Sequence, residues 1–304
     1  MPSPPRVSVV IGAYEAAKTV AGCLDALRRQ TYRDFEVILI DSSPDEDTVR
    51  IVENYPEVVF EHSKARLYCH EARNRAIARA RGELFACLDA DVYPRPEWLA
   101  ELVAAYDRTG EVIVGALACH GERLVERGIH LGKFAKFLPG GGPRAIDTSP
   151  TANLLVARQD FERAGGLRGE RYLADVNLGR ALVDNGKQLL FTGNAIAEHH
   201  HTQSFASFLR ERFVRGAVYG TMRSGWLSGR GEIATFLLAS ILPVRLAKIA
   251  AHVLGDCVRG NELGTLLMTF PIVLAGHAAW LAGEAVSYAR ALVTFSPERA
   301  VRSS

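Results

Sequence analysis

Three apolar runs in the first ninety residues limit the fold more than any other feature of the chain. Val7 to Ile11, Phe35 to Ile40 and Leu84 to Leu88 are nearly continuous in β-branched and other apolar residues. Runs of this kind read as strands buried on both faces, which is the habit of parallel sheets. Between them Val20, Leu24 and Leu27 fall at helical spacing, and Thr48 to Tyr55 and His70 to Ala80 carry helical patterns. Val58 to Glu61 supplies a further short strand. A strand–helix alternation predicts an α/β fold, a mostly parallel sheet with helices on both faces. Ligands gather at the carboxyl ends of the strands in such sheets. Gly12, Asp41 and Asp89 stand at three of those ends.

The pattern continues with a helix over Trp98 to Tyr106 and a strand over Val112 to Leu117. Further on come a strand over Asn153 to Ala157, a helix over Asp175 to Val183 and a strand over Gln188 to Phe191. Residues 119–150 have no clear period and contain Gly140-Gly141-Gly142-Pro143, which predicts a long, flexible connection. No repeat of twenty to fifty residues is present.

Composition matters at the other end. The chain has 304 residues, enough for one large domain and an appendage, and a mean hydropathy of +0.03, high for a purely soluble enzyme. The excess lies beyond Gly231. Ile233 to Val244 is apolar but for two hydroxyl side chains, and Leu263 to Gly283 has no charge and is long enough to cross a hydrocarbon core. The expected division is therefore 1–230, a catalytic domain, and 231–304, hydrophobic membrane-associating helices. Arg245 and Lys248 favour an interfacial placement for the first segment. A two-span hairpin would keep Arg210, Arg212, Arg215, Arg223 and Arg230 on the same side as Arg290, Arg299 and Arg302, the cytosolic one. A buried helix pair or a homo-oligomer interface is the competing use of these helices.

The 36 Lys and Arg nearly balance the 34 Asp and Glu, so nothing points to nucleic acid as a partner. The five cysteines form no C-x-x-C pair, which argues against a zinc ribbon or a disulfide framework and fits a reducing compartment. Met1 to Arg6 leads into the first strand without the apolar stretch of a secretory signal. The expected location is the cytoplasmic side of the membrane.

Asp89-Ala90-Asp91 is the sharpest local signal. Two carboxylates one residue apart at a strand tip can share a hard divalent cation, leaving coordination positions open for a diphosphate. His199-His200-His201 could add a nitrogen ligand. There is no Gly-x-Ser-x-Gly elbow, P-loop or His-Glu-x-x-His, which weakens hydrolase and ATPase readings.

The ordered set of segments resembles the family 2 glycosyltransferases over about residues 6 to 220. Val7 through Glu15 is similar to their first strand, Phe35 through Ser43 to their second, and Ala72-Arg73-Asn74 with Ala80-Arg81-Gly82-Glu83 to the approach to the metal motif. Asn153 through Val156, Gly165-Gly166-Leu167, Tyr172 through Leu178 and His199 through Gly216 resemble the acceptor side and the closing segment. The resemblance implies a GT-A fold and inverting transfer from a nucleotide-activated sugar, a UDP-sugar being the donor expected. Membrane attachment would bring the site to a lipid-linked or glycan acceptor, and the resemblance implies Mn²⁺ or Mg²⁺ held by Asp91, Asp89 and His199. Asp41 would face the base, Ala13, Tyr14 and Glu15 the base and ribose, Arg73 phosphate or ribose oxygens, and Asp89 the ribose or metal-bound water. Asp175 would be the general base. The chain departs from the family at Ala174 and Asn177, where carboxylates are usual, so Asp175 is the motif's single carboxylate. The alternatives are a nucleotidyltransferase that makes sugar nucleotides and a non-catalytic nucleotide-binding scaffold. The first lacks support in Gly12-Ala13-Tyr14-Glu15, which has no basic Gly-rich loop.

Overall fold

The computed structural model describes residues 3–169, 172–227 and 229–294; Arg299 and Arg302 lie outside them. Along the chain the elements are β1 (Val7–Ala13), α1 (Val20–Arg28), β2 (Phe35–Asp41), α2 (Asp47–Val52), β3 (Val58–His62), α3 (Cys69–Ile77), β4 (Leu84–Asp89) and β5 (Val92–Pro94). Next come α4 (Trp98–Thr109), β6 (Val112–Cys119), α5 (Leu124–Phe134), β7 (Arg144–Ile146), β8 (Asn153–Ala157), α6 (Arg158–Arg163), α7 (Ala174–Asp184) and β9 (Leu189–His199). Four helices close the chain: α8 (Phe205–Ser224), α9 (Arg230–Ile241), α10 (Pro243–Arg259) and α11 (Leu263–Thr294). Two compact units result, residues 1–121 with 137–201 and residues 122–136 with 202–304. The expected boundary after residue 230 was drawn from composition, whereas these units follow contacts and give α5 and α8 to the second.

The first unit is built on one nine-stranded sheet in the order β3-β2-β1-β4-β8-β6-β9-β5, with β7 beside β9. The expected parallel core is present: β1 pairs in parallel with β2 and β4, and β2 with β3. Val7, Val9, Val10 and Ile11 are buried, as are Ile38, Leu39 and Ile40 and the apolar residues of β4. That is why these runs do not alternate. β8 is antiparallel to both β4 and β6, and β9 is parallel to β6, so β9 runs in the direction of β4. The carboxyl ends of β1, β2, β4, β6 and β9 therefore share one edge.

Two features of this sheet depart from the sequence reading. The strand expected to end at Phe191 continues to His199 through a register shift between Gly115 and Ala116 of β6. Asn153 fills the irregularity. Its Nδ2 donates to the carbonyls of Ala116 (2.8 Å) and Ala195 (3.0 Å), while Oδ1 accepts from Trp98 Nε1 (2.8 Å). A Cβ on Gly115 would lie 2.3 Å from that amide, so only glycine fits. The second is β5, a three-residue strand that no periodicity reveals; it pairs Val92 with His199.

Residues 119–150 are not the structureless connection expected. They contain α5 and β7. Gly128 and Gly132 dilute the helical pattern of α5, yet they are what lets the helix pack. A Cβ on Gly128 would meet Ile272 at 2.9 Å, and one on Gly132 would meet Phe208 at 3.0 Å. Tertiary contact overrides the weak local propensity.

The second unit is helical. α8 and α11 touch backbone to backbone, because Gly216 approaches the Trp280 carbonyl and Gly283 the Phe213 carbonyl; a Cβ at these positions would fall 2.1 and 2.0 Å from those oxygens. The segment read as continuous from Ile233 is broken before Pro243 into α9 and α10, bent by 65°. α11 remains one helix of 32 residues through Pro271. Glu284 on α11 is fully buried. Its oxygens accept both forks of Arg245 (2.8 and 2.9 Å), the indole N–H of Trp280 (2.5 Å) and the hydroxyl of Tyr288 (3.0 Å), with Arg223 at 3.9 Å.

Candidate active site

The register aligns the strand tips. Gly12 of β1 stands beside Asp89 of β4, Ala13 beside Asp41 of β2, and Asp41 beside His62 of β3. The expected convergence of Gly12, Asp41 and Asp89 is thus a consequence of strand pairing. A side chain on Gly12 would come within 3.1 Å of Ala72 and the Cys69 carbonyl, so α3 packs directly on the tip of β1.

Asp41 is fully buried. Ser43 donates to Oδ1 through its hydroxyl (2.6 Å) and to Oδ2 through its backbone N–H (3.2 Å), and His62 Nδ1 lies 2.8 Å from Oδ2. A carboxylate has about four lone-pair positions, so one remains for another donor. Ser43 also accepts from the backbone N–H of Glu15 (2.8 Å), tying the β1 and β2 tips together. Glu15 adopts φ +52°, a left-handed conformation uncommon outside glycine. The ring of Tyr14 carries the guanidinium of Arg66 at 4.2 Å. His62, Ser43 and Arg66 were not read from the sequence; the signal available for His62 was its place at the tip of a strand pairing with β2.

The three arginines of α3 and its C-terminal extension separate by face. Arg75 and Arg79, four residues apart, both pair with Glu61. Arg73 points the other way and is buried. Its guanidinium pairs with Asp89 Oδ1, donates to the Leu88 carbonyl at 3.4 Å, and contacts Cys69 Sγ at 2.8 Å. Arg73 therefore addresses the first carboxylate of Asp89-Ala90-Asp91 rather than standing alone as an open fork.

Beyond the tip of β4, the short β5 brings the end of β9 back to the acidic pair. His200 donates its backbone N–H to the Asp91 carbonyl (2.8 Å), and His199 Nε2 lies 3.9 Å from Asp91 Oδ2. His199 is buried and stacks on His201 at 4.3 Å with nearly parallel rings. One ligand atom each from Asp89, Asp91 and His199 lies within 4.8 Å of the others. Two carboxylate oxygens and an imidazole nitrogen suit a divalent ion such as Mn²⁺, and two carboxylates suit Mg²⁺. Tyr93 lies behind this group: its hydroxyl contacts His200 Nδ1 at 2.9 Å. Burial, with the nearby Cys23 and Asp91, pushes its phenol up to about 12 and keeps it protonated.

Asp175 sits in the first turn of α7, after Leu173 in a left-handed conformation (φ +67°). α7 joins β9 through a short turn at Asn185 and Gly186. Asp175 Oδ1 accepts from the backbone N–H of Val176 (3.0 Å), and Oδ2 has no hydrogen bond among the described residues. Ser149 anchors the turn by donating to the Asp175 carbonyl (3.1 Å). Asn177, in place of a family carboxylate, donates to the Arg168 carbonyl (3.0 Å).

Comparison with known proteins fits this edge. The family model described as Glycosyl transferase family 2 matches residues 8–155, from β1 through the Asp89 and Asp91 turn to β8. Glycosyltransferase AglE of Haloferax volcanii is 26% identical over 263 residues, 82% of this chain and 80% of that protein. Putative glycosyltransferase EpsE of Bacillus subtilis is 26% identical over 152 residues, 46% of this chain and 55% of that protein. The solved structure of the mannosyltransferase PcManGT from Pyrobaculum calidifontis, in complex with GDP-Man and Mn²⁺, has a TM-score of 0.53 at 19% identity. It covers 99% of this chain and 80% of that one. Over residues 8–155 the chain matches glycosyltransferase family 2, and with these relatives and the shared fold it is a glycosyltransferase with the GT-A fold.

Proposed function

We propose that the protein transfers a sugar, with inversion, from a nucleoside diphosphate sugar to a lipid-linked acceptor at the cytoplasmic face of a membrane. The observation that carries the reading is the meeting of Asp89, Asp91 and His199 at the sheet edge that also bears Asp41. Ala13, Tyr14 and Glu15 form the base and ribose side. Asp41 fixes Ser43 and His62 and offers its remaining lone pair to the imide N–H of the base, a group that uracil and guanine both carry. A UDP-sugar is the first donor to test; GDP-mannose, the ligand in PcManGT, is the second.

Asp91, Asp89 and His199 would hold Mn²⁺ or Mg²⁺, which supplies neutralisation of the charge that develops on the leaving diphosphate. Arg73 positions Asp89 by pairing with its Oδ1 and leaves Oδ2 to face the site. Asp175 takes the proton of the acceptor hydroxyl through Oδ2, and attack from that side, opposite the leaving group, inverts the anomeric centre. Residues 1–230 supply donor chemistry and 231–304 attachment.

Attachment is peripheral in this reading. The window of α11 most suited to cross a membrane has a mean hydropathy of 1.6. From Gly276 to Ser287, however, α11 packs on α8, which carries Arg210, Glu211, Arg212, Arg215 and Arg223. A bilayer could accept that pair only at several kcal/mol for each charge, about 2.5–3.5 at the centre. Leu267, Met268 and Phe270 of α11 and Leu238, Ile241, Leu242 and Val244 at the α9–α10 bend are exposed instead. These suit shallow insertion.

The deciding experiment is donor turnover with Mn²⁺, with and without chelator, in wild type and Asp91→Ala. Turnover should require the metal in wild type and be lost in the variant, whose aspartate lies at a strand tip outside the core. Equal turnover by the variant in excess chelator would overturn the metal assignment.

A further inference from the structure

The loop between β3 and α3 is fastened to the tip of β2 near both its ends. Ser63 donates its backbone N–H to the Asp41 carbonyl (2.8 Å), and Ser42 Oγ donates to the Leu67 carbonyl (3.3 Å). Between these points Ser63 Oγ donates to the Ala65 carbonyl (2.9 Å) and closes a turn. The backbone N–H of Ser42 in turn donates to the Ala13 carbonyl (3.0 Å). The tips of β1 and β2 and this loop are therefore one hydrogen-bonded frame.

Arg66 projects from the loop. Its guanidinium lies 4.2 Å from the centre of the Tyr14 ring, which stands just past β1. Arg66 is exposed and Tyr14 half-buried. A guanidinium carries several N–H donors and no acceptor. Among the described residues no carbonyl or carboxylate accepts from Arg66; the Tyr14 ring is what holds it. An exposed cation–π pair adds little to stability. It does fix a plane, with one face against the phenol ring and the other turned away from it. At 4.2 Å the two groups are in van der Waals contact, so nothing flat can enter between them.

Strand order decides which part of a nucleotide this plane can meet. The order β3-β2-β1-β4 sets Asp41, at the end of β2, two strand spacings or about 10 Å from Asp89 at the end of β4. A donor with its diphosphate at Asp89 and Asp91 and its base at Asp41 runs along that edge. Arg66 arrives from β3, on the far side of Asp41 from the acidic pair, so it belongs to the base and not to the diphosphate. A guanidinium stacks on flat rings, as it does here on Tyr14. Every base offers such a face, so stacking adds affinity without a hydrogen-bonding code and leaves the code to Asp41.

We propose that Arg66 is a further nucleotide-binding residue: its guanidinium, held flat on Tyr14, is the surface on which the base of the donor stacks. The inference rests on the donor reading above, which sets the base beside Asp41.

The test is calorimetric titration of the full chain, with Mn²⁺, in wild type, Arg66→Lys, Tyr14→Leu and the double variant. The ligands are UDP, GDP and inorganic pyrophosphate, the last having two phosphates and no base. Arg66→Lys keeps the charge and removes the plane at an exposed position. It should weaken whichever nucleotide wild type binds more tightly by about tenfold and leave pyrophosphate unchanged. The difference should persist at high salt, which screens charge but not stacking. The double variant should lose less than the product of the two single losses, because each breaks the same stack. Should Tyr14→Leu fail to fold, Arg66→Lys decides alone. An equal loss for pyrophosphate would make Arg66 a phosphate ligand and overturn the inference, as would unchanged nucleotide affinity or single losses that simply multiply. Pyrophosphate binding by a wild type that takes neither nucleotide would overturn it as well. Donor turnover is measured alongside. Nucleotide binding that depends on Arg66 without turnover counts against the transferase reading alone, and turnover with Arg66-independent binding counts against this inference alone.

Discussion

At the scale of single residues, the site is a set of side chains whose free valences are limited by neighbours. Asp175 has one oxygen tied to Val176 N–H and the other open. Asp175→Asn is nearly isosteric, so nucleotide binding should persist while turnover falls by about 10²–10⁴, the usual contribution of a positioned base. Nucleotide affinity and rate are measured together, and a wild-type rate would remove Asp175 from that role. His199 offers a different reading. Imidazole favours transition ions over Mg²⁺, so His199→Gln, which exchanges nitrogen for an amide, should weaken Mn²⁺ binding more than Mg²⁺ binding. Calorimetric titration with each ion decides it; an unchanged Mn²⁺-to-Mg²⁺ ratio would exclude His199 as a ligand. Of the site residues, those at strand tips were legible, since a buried run ending in Asp41 or Asp89 states its own geometry. The pairing of Arg73 with Asp89 was not, because Arg73, Arg75 and Arg79 look alike until the helix faces are assigned. The pairing of His62 with Asp41 depends on β2–β3 register, which no local pattern encodes.

At the scale of elements, packing decides what propensity leaves open. The sheet was readable because burial on both faces leaves continuous apolar runs, and α5 was not, because its packing glycines weaken the helical pattern. The same physics governs α8 and α11. Gly283→Ala places a methyl group against the Phe213 carbonyl and the Ala217 N–H, both backbone atoms that cannot rotate away. Overpacking of this kind costs about 1–3 kcal/mol, with the upper end expected here. Urea unfolding should show the loss, and an unchanged midpoint would mean that α8 and α11 do not touch at this glycine. The buried pair of Arg245 and Glu284 makes a parallel case. Arg245→Ala strands a carboxylate at zero exposure and should cost about 3–5 kcal/mol. The double variant with Glu284→Gln should recover most of that loss, whereas additive losses would show that the pair is not coupled.

At the scale of the whole molecule, the proposed membrane attachment depends on which helix faces are left open to a surface. The pairing of Arg245 with Glu284 changes how α10 can meet a surface. Arg245 faces α11, leaving Lys248 and His252 exposed along one flank of α10, with Arg259 there paired to Asp256, beside Val244, Ala247, Ala251, Leu254 and Val258 on the other. An apolar stripe next to a basic one suits an interface of acyl chains beneath anionic headgroups, where each basic residue contributes about 1 kcal/mol. Binding by this face requires both terms at once. Vesicles of pure phosphatidylcholine should therefore bind the chain weakly, and vesicles with phosphatidylglycerol should bind it strongly at low salt. Raising the salt removes the electrostatic part only. Val244→Asp and Leu267→Asp, at positions 73% and 71% exposed, should release it at any salt without lowering its stability. Cell fractionation gives the same contrast: full-length protein should follow the membrane, and protein lacking residues after Gly231 should not. A full-length chain that stays soluble and monodisperse without detergent would overturn peripheral attachment. It would leave the exposed apolar residues of α10 and α11 as the contact between two copies, which sedimentation would then reveal.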